Sequence, residues 1–167
     1  MFGVKRMGEL IQLAQKIKKF KDEMFNPLLR ELQKRVGGRY AVPISQLEIL
    51  KRCVEAALAV DGSLGSAVNL LENADKSEDP QSRLDRVDWA FQEMKKAQKN
   101  FTVLLNGLTE LPPQLGHLLN MTKNMVAELG ALTSELWKII QSELKQQVEL
   151  YKFRLLAALN RYLANKD

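Results

Sequence analysis

The chain of 167 residues is poor in the side chains that most enzymes use, with one cysteine and one histidine. Cys53 has no second cysteine for an internal disulfide, and a Cys-His dyad would have to join Cys53 to His117. Cys53 lies on an apolar helical stripe, where a free cysteine is an inert core residue rather than a nucleophile. A zinc site needs about four Cys, His or acidic ligands, and a di-metal carboxylate bundle needs Glu-x-x-His on facing helices. His117 has Gln114 three residues before it, so neither pattern is met. Asp61-Gly-Ser-Leu-Gly65 contains glycines but lacks the Gly-Lys-Ser/Thr ending of a phosphate loop. These absences argue against an enzyme, a cofactor, a metal and a small-molecule substrate.

Other absences bound the surroundings. The first 25 residues interleave Lys and Glu with Leu and Ile, so no apolar signal region is expected. With one cysteine, a reducing, cytoplasmic location is expected, peripheral at a membrane where lipid is bound. No uninterrupted apolar run approaches the roughly 18–20 residues of a membrane span. Residue 2 is Phe, which excludes N-myristoylation. Asn100-Phe-Thr and Asn120-Met-Thr fit the glycosylation triplet, but both fall in helical patterns and read as chance.

What is present is helical throughout. The fold class expected is all-α: one domain over 1–167, an antiparallel helical bundle of four to five helices with an unusually long C-terminal helix. The helices are expected at about 4–36, 44–73, 80–109 and 114–165. Met7, Leu10, Ile11, Ala14, Ile17, Phe20, Met24, Phe25, Leu28, Leu32 and Val36 recur at three and four in the first. Asn26-Pro27 either kinks this segment or starts a second helix, and Gly37-Gly38 ends it. Arg39 to Pro43 reads as an extended connector, and Ser45 with Glu48 has the spacing of a capping box.

The second helix carries only Glu55 and Asp61 as charges between Cys53 and Leu71, so it is expected to be the most buried. Asp61 reads as the cap of a helix restarting at Gly62; the alternative is a buried partner for Lys or Arg. Gly62 and Gly65 mark either a break or a close helix crossing. Asp79-Pro80 is expected to cap the third helix, and Gly107 with Pro112-Pro113 to end it. The last segment has no proline and one glycine, Gly130. If continuous, its roughly 50 residues span about 75 Å. Its apolar steps from Leu132 to Val148 are all of four residues, nearer an eleven-residue than a heptad repeat.

The positive lead is charge. Residues 1–40 hold ten basic and four acidic side chains, +6, whereas 41–167 hold fifteen and sixteen, −1. Lys5, Arg6, Lys16, Lys18, Lys19 and Lys21 surround the stripe of Met7, Ile11, Ala14, Ile17 and Phe20. A basic amphipathic helix of this kind either lies on anionic lipid or packs its stripe inward with its lysines solvated. Nucleic acid is not expected, because base reading relies heavily on Arg and this cluster is mainly Lys. Trp89 and Trp137 lie beside their helices' stripes as core or rim residues. On the last helix, Leu136, Ile140, Leu144, Val148, Tyr151, Leu155 and Tyr162 are the candidate face for self-association or another protein.

Met7-Gly-Glu-Leu-Ile-Gln-Leu-Ala-Gln-Lys-Ile17, followed by Arg35-Val36-Gly37 and Leu47-Glu-Ile-Leu50, resembles the opening of mixed lineage kinase domain-like proteins. The resemblance covers under a third of the chain and ends after Leu50. It implies a helical bundle that engages acidic membrane lipids. The function expected is therefore non-enzymatic binding, with the basic first helix on an anionic membrane surface and the last helix for self-association or a partner. A protein-interaction adaptor with no membrane role is the alternative. A membrane-perturbing domain and a nucleic-acid accessory subunit rank below both.

Overall fold

The computed structural model describes residues 2–37 and 43–166, with side chains from residue 8 onward. It is all-α, with no strand among the described residues. The helices are α1 (Phe2–Lys19), α2 (Asn26–Val36), α3 (Ile44–Lys76), α4 (Pro80–Thr109) and α5 (Gly116–Asn165). A 3-10 turn, Pro113–Leu115, precedes α5.

A π-helical turn, Phe20–Phe25, joins α1 to α2, so the first segment is one helical rod. Pro27 has no N–H to donate and its ring crowds the carbonyl four residues back. The chain answers by widening the turn before it, and the Asn26 N–H reaches the Lys21 carbonyl five residues away. The extra residue advances the phase of the apolar face. Leu13 and Phe25 are buried, while Met24 turns outward. Asn26 is thus inside the rod and caps nothing.

α3 packs against α1, α2 and α4, and α5 packs against α4 and more narrowly against α1 and the π turn. Ion pairs tie the helices together: Arg52 of α3 pairs with Glu110 at the end of α4, and Lys16 of α1 with Glu135 of α5. Gln147 Nε2 donates to the Pro80 carbonyl at 3.0 Å, tying α5 to the start of α4. One contiguous core includes Ile17, Phe20, Phe25, Leu64, Met94 and Leu136. Phe25 and Phe101 meet at 5.9 Å between ring centroids.

Several sequence expectations are corrected here. α3 begins at Ile44 after Pro43, with no side-chain cap, so Ser45 and Glu48 form no capping box. α3 is unbroken through Asp61, Gly62 and Gly65, and Asp61 is the ion-pair partner of Lys21 rather than a cap. Gly65 lies beside that lysine: a Cβ there would stand 3.7 Å from Lys21 Cε, an ordinary contact. Gly107 lies inside α4, not at its end. α3 is also long and apolar enough to cross a membrane by length and composition. Its many Ala, Gly and Ser residues interrupt any run of large side chains while adding little charge, which is why scanning for such a run misses it. In the fold, 44% of that window is buried against the neighbouring helices.

One expectation holds and one open point is decided. Asp79 caps α4 by accepting from the Ser82 N–H at 3.1 Å and the Ser82 hydroxyl at 2.8 Å. α5 continues through Gly130 without a new cap: the Thr133 hydroxyl donates back to the Leu129 carbonyl at 2.8 Å. The connector 38–42 lies outside the described residues.

Candidate binding surfaces

The first candidate is the basic face of α1. Leu10, Leu13, Ala14, Ile17 and Phe20 are all buried, so the apolar stripe belongs to the core. Burying this face in lipid would require the rod to leave α3 and α5. Two of the four described cations around it are answered by acids from other helices. Lys16 Nζ lies 3.0 Å from Glu135 on α5, and Lys21 Nζ lies 3.4 Å from Asp61 on α3 and 3.8 Å from Asp22. Lys16 and Lys19 line a shallow groove that also holds Glu23, Glu128 and Glu135. Part of the +6 of the sequence is therefore offset by acids on α3 and α5. Lys18 and Lys19 are exposed and have no carboxylate in ion-pair reach. The side chains of Lys5 and Arg6 lie outside the described residues.

The second candidate is α5. Leu136 and Ile140 are 0% and 3% exposed, so they are core residues and not a partner face, which corrects the sequence expectation. Beyond them the helix outruns its neighbours. α4 begins at Pro80, opposite Gln147, and 148–165 runs on as helix. Leu144, Val148, Tyr151, Leu155 and Tyr162 are exposed, as are Leu150, Phe153, Leu156, Leu159 and Leu163. Those ten are most of the seventeen large apolar side chains exposed among the described residues, so the exposed apolar surface is concentrated at one end. Tyr151, Phe153 and Tyr162 do not fold back onto the core.

Where α3, α4 and α5 meet, a group of charges is buried that sequence reading missed. Arg83 on α4 lies 3.0 Å from Glu143 on α5, with side chains only 11% and 9% exposed. Asp75 on α3 is close enough for Arg83 to favour its charged form, but burial outweighs this and holds its carboxyl above the usual range. Glu143 sits one residue before Leu144 on a helix rich in both Glu and Lys, and nothing in the local pattern marks it as inward. The one available signal was its spacing of seven from Leu136.

Cys53 and His117 are not brought together as a dyad. Cys53 is buried against Gly107, and burial pushes its thiol from 9.0 up to about 11. His117 is exposed in the first turn of α5. Among the described residues no group of three Cys, His, Asp or Glu side chains is placed to hold a metal. Trp89 and Trp137 are exposed rim residues; the Trp137 ring lies 5.1 Å from Phe91, over which Lys95 sits at 5.6 Å. No family model, curated protein or solved structure matches this chain.

Proposed function

We propose that this chain is a single-domain, non-enzymatic antiparallel helical bundle that works by binding, and that its binding element is the projecting half of α5. The observation that carries this reading is the row of large apolar side chains from Leu144 to Leu163, 44–71% exposed at one end of the molecule. Leaving such surface in water is unfavourable, roughly 25 cal/mol per Å². A partner that covers it recovers that free energy. The buried, protonated Cys53 and the scattered titratable groups support the non-enzymatic part of the reading.

The test uses the full chain and Tyr151→Glu/Leu155→Glu. Light scattering over a concentration series and flotation with lipid vesicles are the readouts. Wild type is expected to associate in one of the two, and the variant to lose that association while melting as wild type does. A wild type that stays monomeric and never floats, or a variant that binds as before, overturns the reading.

A second reading keeps the binding on α1. Lys18 and Lys19 point to solvent without carboxylate partners and are free to meet an anionic surface. Loss of vesicle binding in Lys18→Glu/Lys19→Glu, with none in the α5 variant, would favour it.

A further inference from the structure

We propose that the projecting half of α5 docks flat on an anionic lipid bilayer, its apolar band in the acyl boundary and its basic residues on the headgroups. This rests on the reading of α5 as the binding element and names its partner. At about 100° per residue, Leu144, Val148, Tyr151, Leu155, Leu159 and Tyr162 share one face of the helix. Leu156 and Leu163 widen it to an arc of roughly 140°, while the exposed Leu150 and Phe153 lie off it. That is broader than the narrow seam a two-stranded coiled coil buries.

Charge selects among occupants. Residues 144–167 carry Lys145, Lys152, Arg154, Arg161 and Lys166 against the acids Glu149 and Asp167. Among the described residues none of the five cations has a carboxylate partner; Arg161 only donates within its own helix, to the Ala157 carbonyl. Lys145 and Lys152 fall beside Leu156 and Leu163 on one side of the six-residue face, and Arg154 and Arg161 lie beyond its other side. A second copy of the helix, in either direction, would bring cationic margins against cationic margins. An anionic bilayer meets them with the opposite sign, and long basic side chains can lie over acyl chains with their charges at the headgroups. Tyr151 and Tyr162 match the same boundary, an apolar ring with a hydroxyl that stays wet. The six charged side chains from Lys145 to Lys166 weigh against a spanning orientation, so the helix, roughly 27 Å beyond Gln147, lies along the surface.

The experiment floats the full chain with phosphatidylcholine vesicles, with and without phosphatidylserine, at low and high salt. Binding is expected only with phosphatidylserine and is expected to fade at high salt. Lys152→Glu/Arg154→Glu/Arg161→Glu should weaken it at least about a hundredfold, while Lys18→Glu/Lys19→Glu leaves it unchanged. A polarity-sensitive dye on Leu159→Cys should shift to the blue on binding, because Cys53 is buried and leaves the label to the new thiol. The altered residues touch no core, so circular dichroism melting should match wild type in each. Flotation lost only with the Lys18 and Lys19 changes overturns both this inference and the reading of α5. Concentration-dependent association without flotation, abolished by Tyr151→Glu/Leu155→Glu, overturns the lipid partner and leaves the reading of α5 standing. Absence of both overturns both.

Discussion

Gly107 on α4 lies so close to Cys53 on α3 that a Cβ built on the glycine would stand 2.6 Å from the cysteine Sγ. The two helices cross there with no room for another carbon. A glycine inside a helix normally costs about 1 kcal/mol relative to alanine, so at this position close approach outweighs propensity. Gly107→Ala is expected to destabilise by about 1–3 kcal/mol, the usual cost of an overpacked core. In a Cys53→Ala background the same change should be neutral or stabilising, because Sγ is gone and the propensity gain remains. Denaturant titration of the four proteins of this cycle measures the coupling; additive effects would count against the steric account.

The same burial governs alkaline stability. The folded thiol ionises at about 11 and the free thiol at 9.0. Below 9.0 both states hold the proton and nothing is lost. Between the two values the unfolded chain releases its proton and the native one keeps it, so stability falls as pH rises through this window. Cys53→Ala should show a shallower decline in melting temperature between pH 9 and 11 than wild type. A thiol reagent at neutral pH should label wild type only on unfolding.

Arg83 and Glu143 are expected to behave as a pair. Arg83→Met leaves Glu143 charged and buried, which costs about 3–5 kcal/mol. Arg83→Met/Glu143→Leu removes both charges and should recover most of that loss, since apolar replacements of similar size commonly match a buried pair. Urea unfolding of the single and double variants checks this, and a double variant as weak as the sum of its parts would refute it.

Two aspartates flanking the turn between α3 and α4 should give pH effects of opposite sign. The Asp79 carboxyl is held below the usual range by its bonds from Ser82. Its contribution to stability is present above the ordinary aspartate value and is lost as pH falls through the lower folded one. Asp75 is held above the usual range by burial, so the native chain keeps that proton longer, and stability falls as pH rises through the window above the ordinary value. Asp79→Ala should therefore lower the melting temperature at pH 7 and lose its effect in acid. Asp75→Asn should raise it at pH 7, with a gain that shrinks in acid. Melting curves from pH 3 to 7 test both.

Helix positions and the Asp79 cap were legible in the sequence, because each depends on neighbours within a turn or two, whereas the sequence leaves the continuity of α5 through Gly130 open. What failed had a different origin. Met24 turned outward because the π turn before Pro27 adds a residue to the repeat. Asp61 looked like a cap because its partner, Lys21, is forty residues away. Leu136 and Ile140 looked like the same face as Leu155 and Tyr162, and only the reach of α4 separates them.

The sequence by itself determined that the chain is helical and which side chains are apolar, since three-and-four spacing and capping chemistry are local. The tertiary structure decided which apolar stripe is covered and which charges are answered. The stripe of α1 is closed by α3 and α5, and Glu135 and Asp61 meet two of its lysines. Pairing ends where Pro80 meets Gln147, and α5 continues without a neighbouring helix to bury it. Burial depends on the relative lengths and registers of helices distant in sequence, which no local pattern encodes.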